Sequence, residues 1–435
     1  MDRADPDLDE ARLLAQRRLL KEVRGRLKRG ERTQAGALLR GGAAALDAEG
    51  LEAAAEFAVK CGDPGLATEC LTRLTVLEPD EVEWPCQLGH VARRMEDFDT
   101  ANAWLAHASR IDTGHPLVQH LRLRLARFHP EISGPEYLLE NLAKPDVPIG
   151  VGVQIARRLT ARGLSGAAVE GLRRLKARST DPKEQRGIET HLKVAEAVEA
   201  CRAAGGEPLS RSDRRAAIVE PREGAETAVL VFSGIDGAFG SVLLDLTHAL
   251  LFPLGVSTIH LIDVNRLVHL AGNPDLGRDY PETIRAIRRQ LDAWAVRRVV
   301  TLGASAGGYA AVRYGLDLGA DRILAFAPPT TLQRDVLWED GRGFTVISRL
   351  EQYAPTMMGP LRPHVAVAGS ASRIDLYFGS DMALDRTHAE ALAGLEGVRL
   401  CEIPGLDHHG AAGELLVRGE LPAILAEAVK GEATA

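Results

Sequence analysis

Val299-Val300-Thr301-Leu302-Gly303-Ala304-Ser305-Ala306-Gly307-Gly308-Tyr309-Ala310-Ala311 is the stretch that decides the architecture of the C-terminal half. Its apolar, β-branched start predicts a strand, and the small residues after Ser305 predict a helix that leaves at once. Between them stands Gly-x-Ser-x-Gly. A serine on so sharp a strand-to-helix turn has its Oγ lifted above the sheet, and the helix N-terminus favours negative charge developing beside it. Gly303 and Gly307 are expected because a Cβ at either position would collide with the adjoining strand or helix. The plainer alternative is a tight glycine turn with Ser305 as an N-cap. Two nucleotide-binding readings fail: there is no Gly-Lys-Ser/Thr, and Ser305 stands where a dinucleotide fingerprint needs its second glycine.

Working outward, strand and helix alternate. Strands are expected at residues 228–232, 257–262, 298–302, 323–326, 374–378 and 398–403. Helices are expected at 243–252, 280–294, 308–318, 388–395 and 413–429. Ala216 to Val219 adds a possible short edge strand. Apolar strands separated by amphipathic helices predict a doubly wound, mostly parallel sheet covered on both faces.

A serine nucleophile needs a histidine and an acid, and in this order of elements both are sought after later strands. Asp381 and Asp385 follow the strand ending at Phe378; His408 and His409 follow the strand ending at Ile403. All lie at C-terminal strand ends, the sheet edge from which Ser305 also emerges. Asp381 stands nearer its strand, and Asp385 is either the acid or the cap of the next helix. The oxyanion hole is expected from the N–H of Ala306 and one from the loop Ser233-Gly234-Ile235-Asp236-Gly237, either Ile235 or Gly234. His248, His260, His269 and His388 are expected as core or surface residues.

Phe232-Ser233-Gly234, Ile262-Asp263, residues 303–311 and Ala325-Phe326-Ala327-Pro328-Pro329-Thr330 together resemble α/β-hydrolase domains found in bacterial surface-glycan contexts, often fused to glycosyltransferases or tetratricopeptide repeats. The resemblance spans about Thr227 to Ile424. His408, four residues after Pro404, matches the Pro-Gly-x-x-His pattern of that family and is preferred to His409. The resemblance implies ester or acyl chemistry through an acyl-enzyme, on a small-molecule or glycan acyl ester. Hydrolysis and acyl transfer would use the same residues, and no metal or redox cofactor is implied. Two departures stand out: there is no His-Gly-Gly oxyanion motif, and residues 332–371 follow no family pattern. That stretch, with Trp338, Phe344, Tyr353 and Met357-Met358, is either a lid or a crossover helix.

The N-terminal half reads differently. From Glu10 to about Arg202 it is helical, rich in Ala, Leu, Arg and Glu. An offset of thirty-four residues aligns Ala54-Ala55 with Leu88-Gly89, Ala67 with Ala101 and Leu71 with Leu105. This resembles the tetratricopeptide repeat, with a further copy around Ala156, Ala168 and Leu172; the stretch 116–146, with Pro135, fits poorly. An irregular helical bundle is the alternative. A stacked array implies a protein or peptide partner. Before it, a basic helix (Arg12 to Arg32) is read either as a docking element for an acidic partner or an anionic membrane surface or, more simply, as a solvated helix packing on the first repeat through Leu13, Leu14, Leu19, Leu20, Val23 and Leu27. The expected domains are therefore helical repeats at 1–205, a linker at 206–226, and an α/β-hydrolase domain at 227–435.

Composition narrows the function classes. A formal net charge of −7 argues against nucleic acid as main partner. No apolar run has bilayer length, and the acidic start Met1-Asp2-Arg3-Ala4-Asp5 does not read as a secretory signal, so a cytoplasmic location is expected. Five scattered cysteines form no C-x-x-C pair and are expected as reduced thiols. A catalytically idle hydrolase domain, serving as a scaffold beside partner-binding repeats, is the rival to the enzyme.

Overall fold

The computed structural model describes residues 6–125, 134–203, 209, 215–235, 237–340 and 343–430. They form two units: Met1–Ile155 with Arg334–Ile347, and Ala156–Gln333 with Ser348–Ala435.

In the first unit, helices pair through tight connections: α1 (Pro6–Lys28), α2 (Arg32–Gly42), α3 (Ala48–Cys61), α4 (Pro64–Leu77), α5 (Glu83–Arg94), α6 (Phe98–Ile111), α7 (Pro116–Arg124) and α8 (Pro135–Ala143). Asp47, Asp63 and Asp97 cap α3, α4 and α6 by accepting backbone N–H bonds. The offset of thirty-four residues falls on the pairs α3/α4 and α5/α6, and Ala54, Ala67 and Ala101 are fully buried. A Cβ on Gly89 would stand 2.5 Å from Leu121 Cδ2, so the leucine tip would have to shift to admit one. Val23 of α1 joins the core formed by α2 to α4, with Leu19, Leu20 and Leu27 partly buried against it, whereas Leu13 and Leu14 of the expected apolar face are exposed. Residues 126–133, within the stretch of poor repeat register, lie outside the described residues.

The second unit holds a seven-stranded sheet: β1 (Ala217–Glu220), β2 (Thr227–Phe232), β3 (Ser257–Leu261), β4 (Arg298–Ala304), β5 (Arg322–Phe326), β6 (Arg373–Gly379) and β7 (Val398–Ile403). Their order is β1-β3-β2-β4-β5-β6-β7. All neighbours are parallel except the edge pair β1 and β3. The central strands are buried along their length, as their continuous apolar runs require.

Three expectations shift. The helix placed at 388–395 is α18 (Ala383–Glu390), which puts Asp385 inside its first turn. The final helix is two, α19 (Ala411–Val417) and α20 (Leu421–Lys430). The compact unit around the sheet also begins well before the expected linker. Helices α10 (Ser165–Arg178) and α11 (Pro182–Ala203) belong to it, and Val194 and Val198 share one apolar core with Val229, Val300 and Leu415. The linker residues Gly205-Gly206-Glu207-Pro208 lie outside the described residues.

Among the described residues, no helix is long and apolar enough to cross a membrane. All five cysteines are free thiols.

Candidate active site

The site grows from the turn between β4 and α14 (Ala306–Leu318). Ser305 occupies it with φ 54° and ψ −123°, a region that costs a non-glycine residue about 1–3 kcal/mol and persists only where the surroundings hold it. They do so here. Its N–H donates to Phe326 O at 2.8 Å, and its carbonyl accepts from Gly308 N at 2.8 Å. A Cβ on Gly303 would lie 2.0 Å from Gly307 O, and one on Gly307 would lie 2.4 Å from Phe232 O. These glycines let helix, strand and the exit of β2 meet at backbone distance.

Asp385, on α18 after β6, is 2 % exposed. Both its carboxylate oxygens accept from His409 Nδ1, at 2.9 and 3.0 Å. This fixes the ring's orientation and leaves Nε2 as its remaining acceptor. His409 and Ser305 line one cavity of about 410 Å³. That volume is in the range of small-ligand sites.

The histidine that meets the buried acid is His409, not the preferred His408. His408 is exposed, and its Nδ1 accepts from the Gly410 N–H at 3.1 Å, within its own turn. The turn after β7 sends adjacent residues in different directions, so counting from Pro404 misses by one. Asp381 is likewise exposed and accepts from Ser380 Oγ at 2.9 Å. Ser380 Oγ in turn accepts from Gly405 N at 2.8 Å, so Asp381 belongs to a strut that braces the histidine turn. Of the two acids weighed, Asp385 is the one brought to a histidine.

The oxyanion candidates also separate. Gly234 N–H donates to Ala238 O at 2.7 Å and is engaged in its own turn. The Ile235 and Ala306 N–H groups have no acceptor among the described residues. Ile235 lines the cavity beside Ser305. Its loop is braced from beneath: Ser233 Oγ accepts from Asp263 N at 3.1 Å, and His269 Nε2–H donates to Ser233 O at 2.9 Å. Asp236 lies outside the described residues. His248, His260 and His388 are buried with His269, as expected for core histidines.

Among the described residues, none from 332–371 lines this cavity. Part of the stretch is fixed on α14 instead, with Tyr309 OH donating to Met357 O at 3.0 Å and Gly359 O at 2.9 Å. The cavity wall comes instead from Arg157 on α9 (Ile149–Ala161) and His191 on α11, two residues that no sequence motif marks. Burial, and then the Arg157 charge, push the His191 pKa down to about 4, so its ring is neutral at physiological pH. Gly240 and Ser241 complete this side.

Among the described residues, no group of three or more His, Cys, Asp or Glu is arranged to hold a metal ion.

No family model and no curated protein matches the chain. Solved structures do. MenH from S. aureus is 12% identical, covering 49% of this chain and 97% of its own, with a TM-score of 0.36. An esterase from Pyrobaculum calidifontis is 15% identical, covering 61% and 98%, with a TM-score of 0.35. The capsule O-acetyltransferase of Neisseria meningitidis serogroup A is 14% identical, covering 48% and 90%, with a TM-score of 0.33.

Proposed function

We propose that the sheet-bearing unit is a serine esterase working through Ser305, His409 and Asp385. The carrying observation is the buried Asp385 carboxylate bound to His409 Nδ1, with His409 and Ser305 on one cavity wall. His409 Nε2 takes the Ser305 proton as Oγ attacks an ester carbonyl, and Asp385 stabilises the imidazolium that forms. The Ala306 and Ile235 N–H groups hold the oxyanion. Its collapse expels the alcohol, protonated by His409, and leaves an acyl-Ser305. Water activated by the same histidine then releases the acid; a sugar hydroxyl in its place would make the reaction an acyl transfer.

The helical pairs of the first unit are read as a tetratricopeptide-like array for a protein or peptide partner, and acylated surface glycans are the first substrates to screen. The direct test is mass spectrometry after brief exposure to an aryl acetate. An acetyl adduct on Ser305, absent in Ser305→Ala, supports the esterase. An unmodified serine with no aryl alcohol released would leave the scaffold role as the better account.

A further inference from the structure

The two N–H groups assigned to the oxyanion stand on different elements: Ile235 in the loop after β2, and Ala306 at the start of α14. Two donors aim at one oxygen only if the spacing of those elements is fixed. We propose that His269, in the segment after β3, is the positioning residue that ties the two elements together and so sets the oxyanion hole. This deepens the esterase reading and rests on it for the role of the two donors.

His269 reaches each element with a different group. Its Nε2–H donates to Ser233 O at 2.9 Å, in the loop that carries Ile235. Its own carbonyl accepts from the OH of Tyr314, a residue of α14, at 2.8 Å. The same ring packs edge-on against Phe232, the last residue of β2, with centroids 5.3 Å apart. Ser233 is thereby held at every polar atom, since its N–H donates to Leu261 O at 2.9 Å and its Oγ accepts from Asp263 N. The start of α14 lies against this carbonyl too: a Cβ on Gly307 would stand 2.7 Å from Ser233 O. His269 and Ser233 are both buried, so losing the ring donor would leave that carbonyl short of a partner that water does not readily replace.

The segment that delivers the ring is strained. Arg266, Val268 and His269 have φ of 52°, 55° and 59°, a region that costs a non-glycine residue about 1–3 kcal/mol and is least suited to a β-branched valine. Asp263 holds the segment there, its carboxylate oxygens accepting from Leu267 N at 3.1 Å and Val268 N at 2.7 Å. Strain of this kind persists where the surroundings over-determine it, and it gathers at functional sites. What it delivers here is an imidazole beneath the oxyanion loop. Donors set in advance stabilise the transition state without reorganising, so a small shift of either element costs rate more than substrate binding.

Hydrolysis of para-nitrophenyl acetate by the full chain tests this, with kcat and KM resolved separately. His269→Phe keeps an aromatic ring against Phe232 and removes the donor. Its kcat should fall on the order of 10- to 100-fold while KM moves less than about threefold. Affinity for phenyl trifluoromethyl ketone, whose carbonyl becomes an oxyanion when Ser305 Oγ adds to it and passes its proton to His409, should fall by a similar factor. His269→Gln, whose Nε2–H can serve the same carbonyl, should recover kcat to within about fivefold of wild type. Tyr314→Phe releases only the other tie and should lower kcat about 3- to 10-fold; it decides the matter alone if His269→Phe does not fold. Unchanged kcat in folded His269→Phe or Tyr314→Phe, a loss confined to KM, or a His269→Gln protein as impaired as His269→Phe would overturn the proposal. A wild type that turns over no ester sinks the esterase reading and this inference with it, whereas an active wild type with unaffected variants sinks the inference alone.

Discussion

The two ends of the sheet use a buried carboxylate in opposite ways. Near the start of β6, Asp375 is fully buried and accepts from Arg322 Nε at 2.7 Å and Arg399 Nε at 2.7 Å; Arg322 also reaches Glu427 of α20 at 2.9 Å. Beyond the other end of the same strand, Asp385 is nearly as buried but meets a histidine that lines a cavity. The first carboxylate ties β5, β6, β7 and the final helix together. The second orients a ring that faces neither solvent alone nor core alone. Burial by itself does not mark function; what separates these residues is a titratable partner with access to a cavity.

Breaking this contrast should separate activity from stability. Ser305→Ala and His409→Ala should each lower kcat/KM by about 10⁴-fold or more, with the unfolding transition nearly unmoved. Asp385→Asn should come close to them, because the amide has no negative charge to stabilise the imidazolium and its NH2 group favours the wrong tautomer of His409. At the opposite end, Asp375→Ala should cost about 3–5 kcal/mol in denaturant unfolding, since it strands buried arginine charge, with activity per folded molecule unchanged. An Asp375→Ala protein that is stable but inactive would erase the distinction between the ends.

Smaller effects sharpen it. His408→Ala should change kcat/KM by less than about threefold, because its ring is exposed and bonded within its own turn. A pH effect is expected from His191. Its folded pKa, about 4, lies below the unfolded value, so between those values the unfolded chain binds more protons. Its neutral burial is therefore compatible with full stability above about pH 6.5, and stability falls as pH drops from there towards about 4. Unfolding followed across that window should show a shallower acid slope in His191→Gln. Identical slopes would mean the ring is not held neutral.

Much of the fold was legible because it is written in local constraints. Continuous apolar runs specified the central strands, and Gly303 and Gly307 announced a backbone contact that admits no Cβ. The site was legible only to within a residue or a turn. His409 could not be told from His408, because the direction of each side chain depends on how the turn after β7 is braced by Ser380. Asp385 was weighed as a helix cap because α18 was placed five residues too late; in the structure it lies inside the helix and points at His409. Arg157 and His191 were not legible at all. They precede the sheet by many residues, belong to no motif, and reach the cavity through the packing of the helices that carry them, α11 lying against α19 and the helix Leu244–Leu251. The Asp375 cluster was hidden for the same reason: strand register, not sequence spacing, brings its arginines together.

The most direct measurement is fluorophosphonate labelling of the wild type beside Ser305→Ala, His409→Ala and His408→Ala. The proposed triad predicts labelling of wild type and His408→Ala, and none of Ser305→Ala or His409→Ala. Labelling that survives His409→Ala, or is lost in a folded His408→Ala, would contradict it.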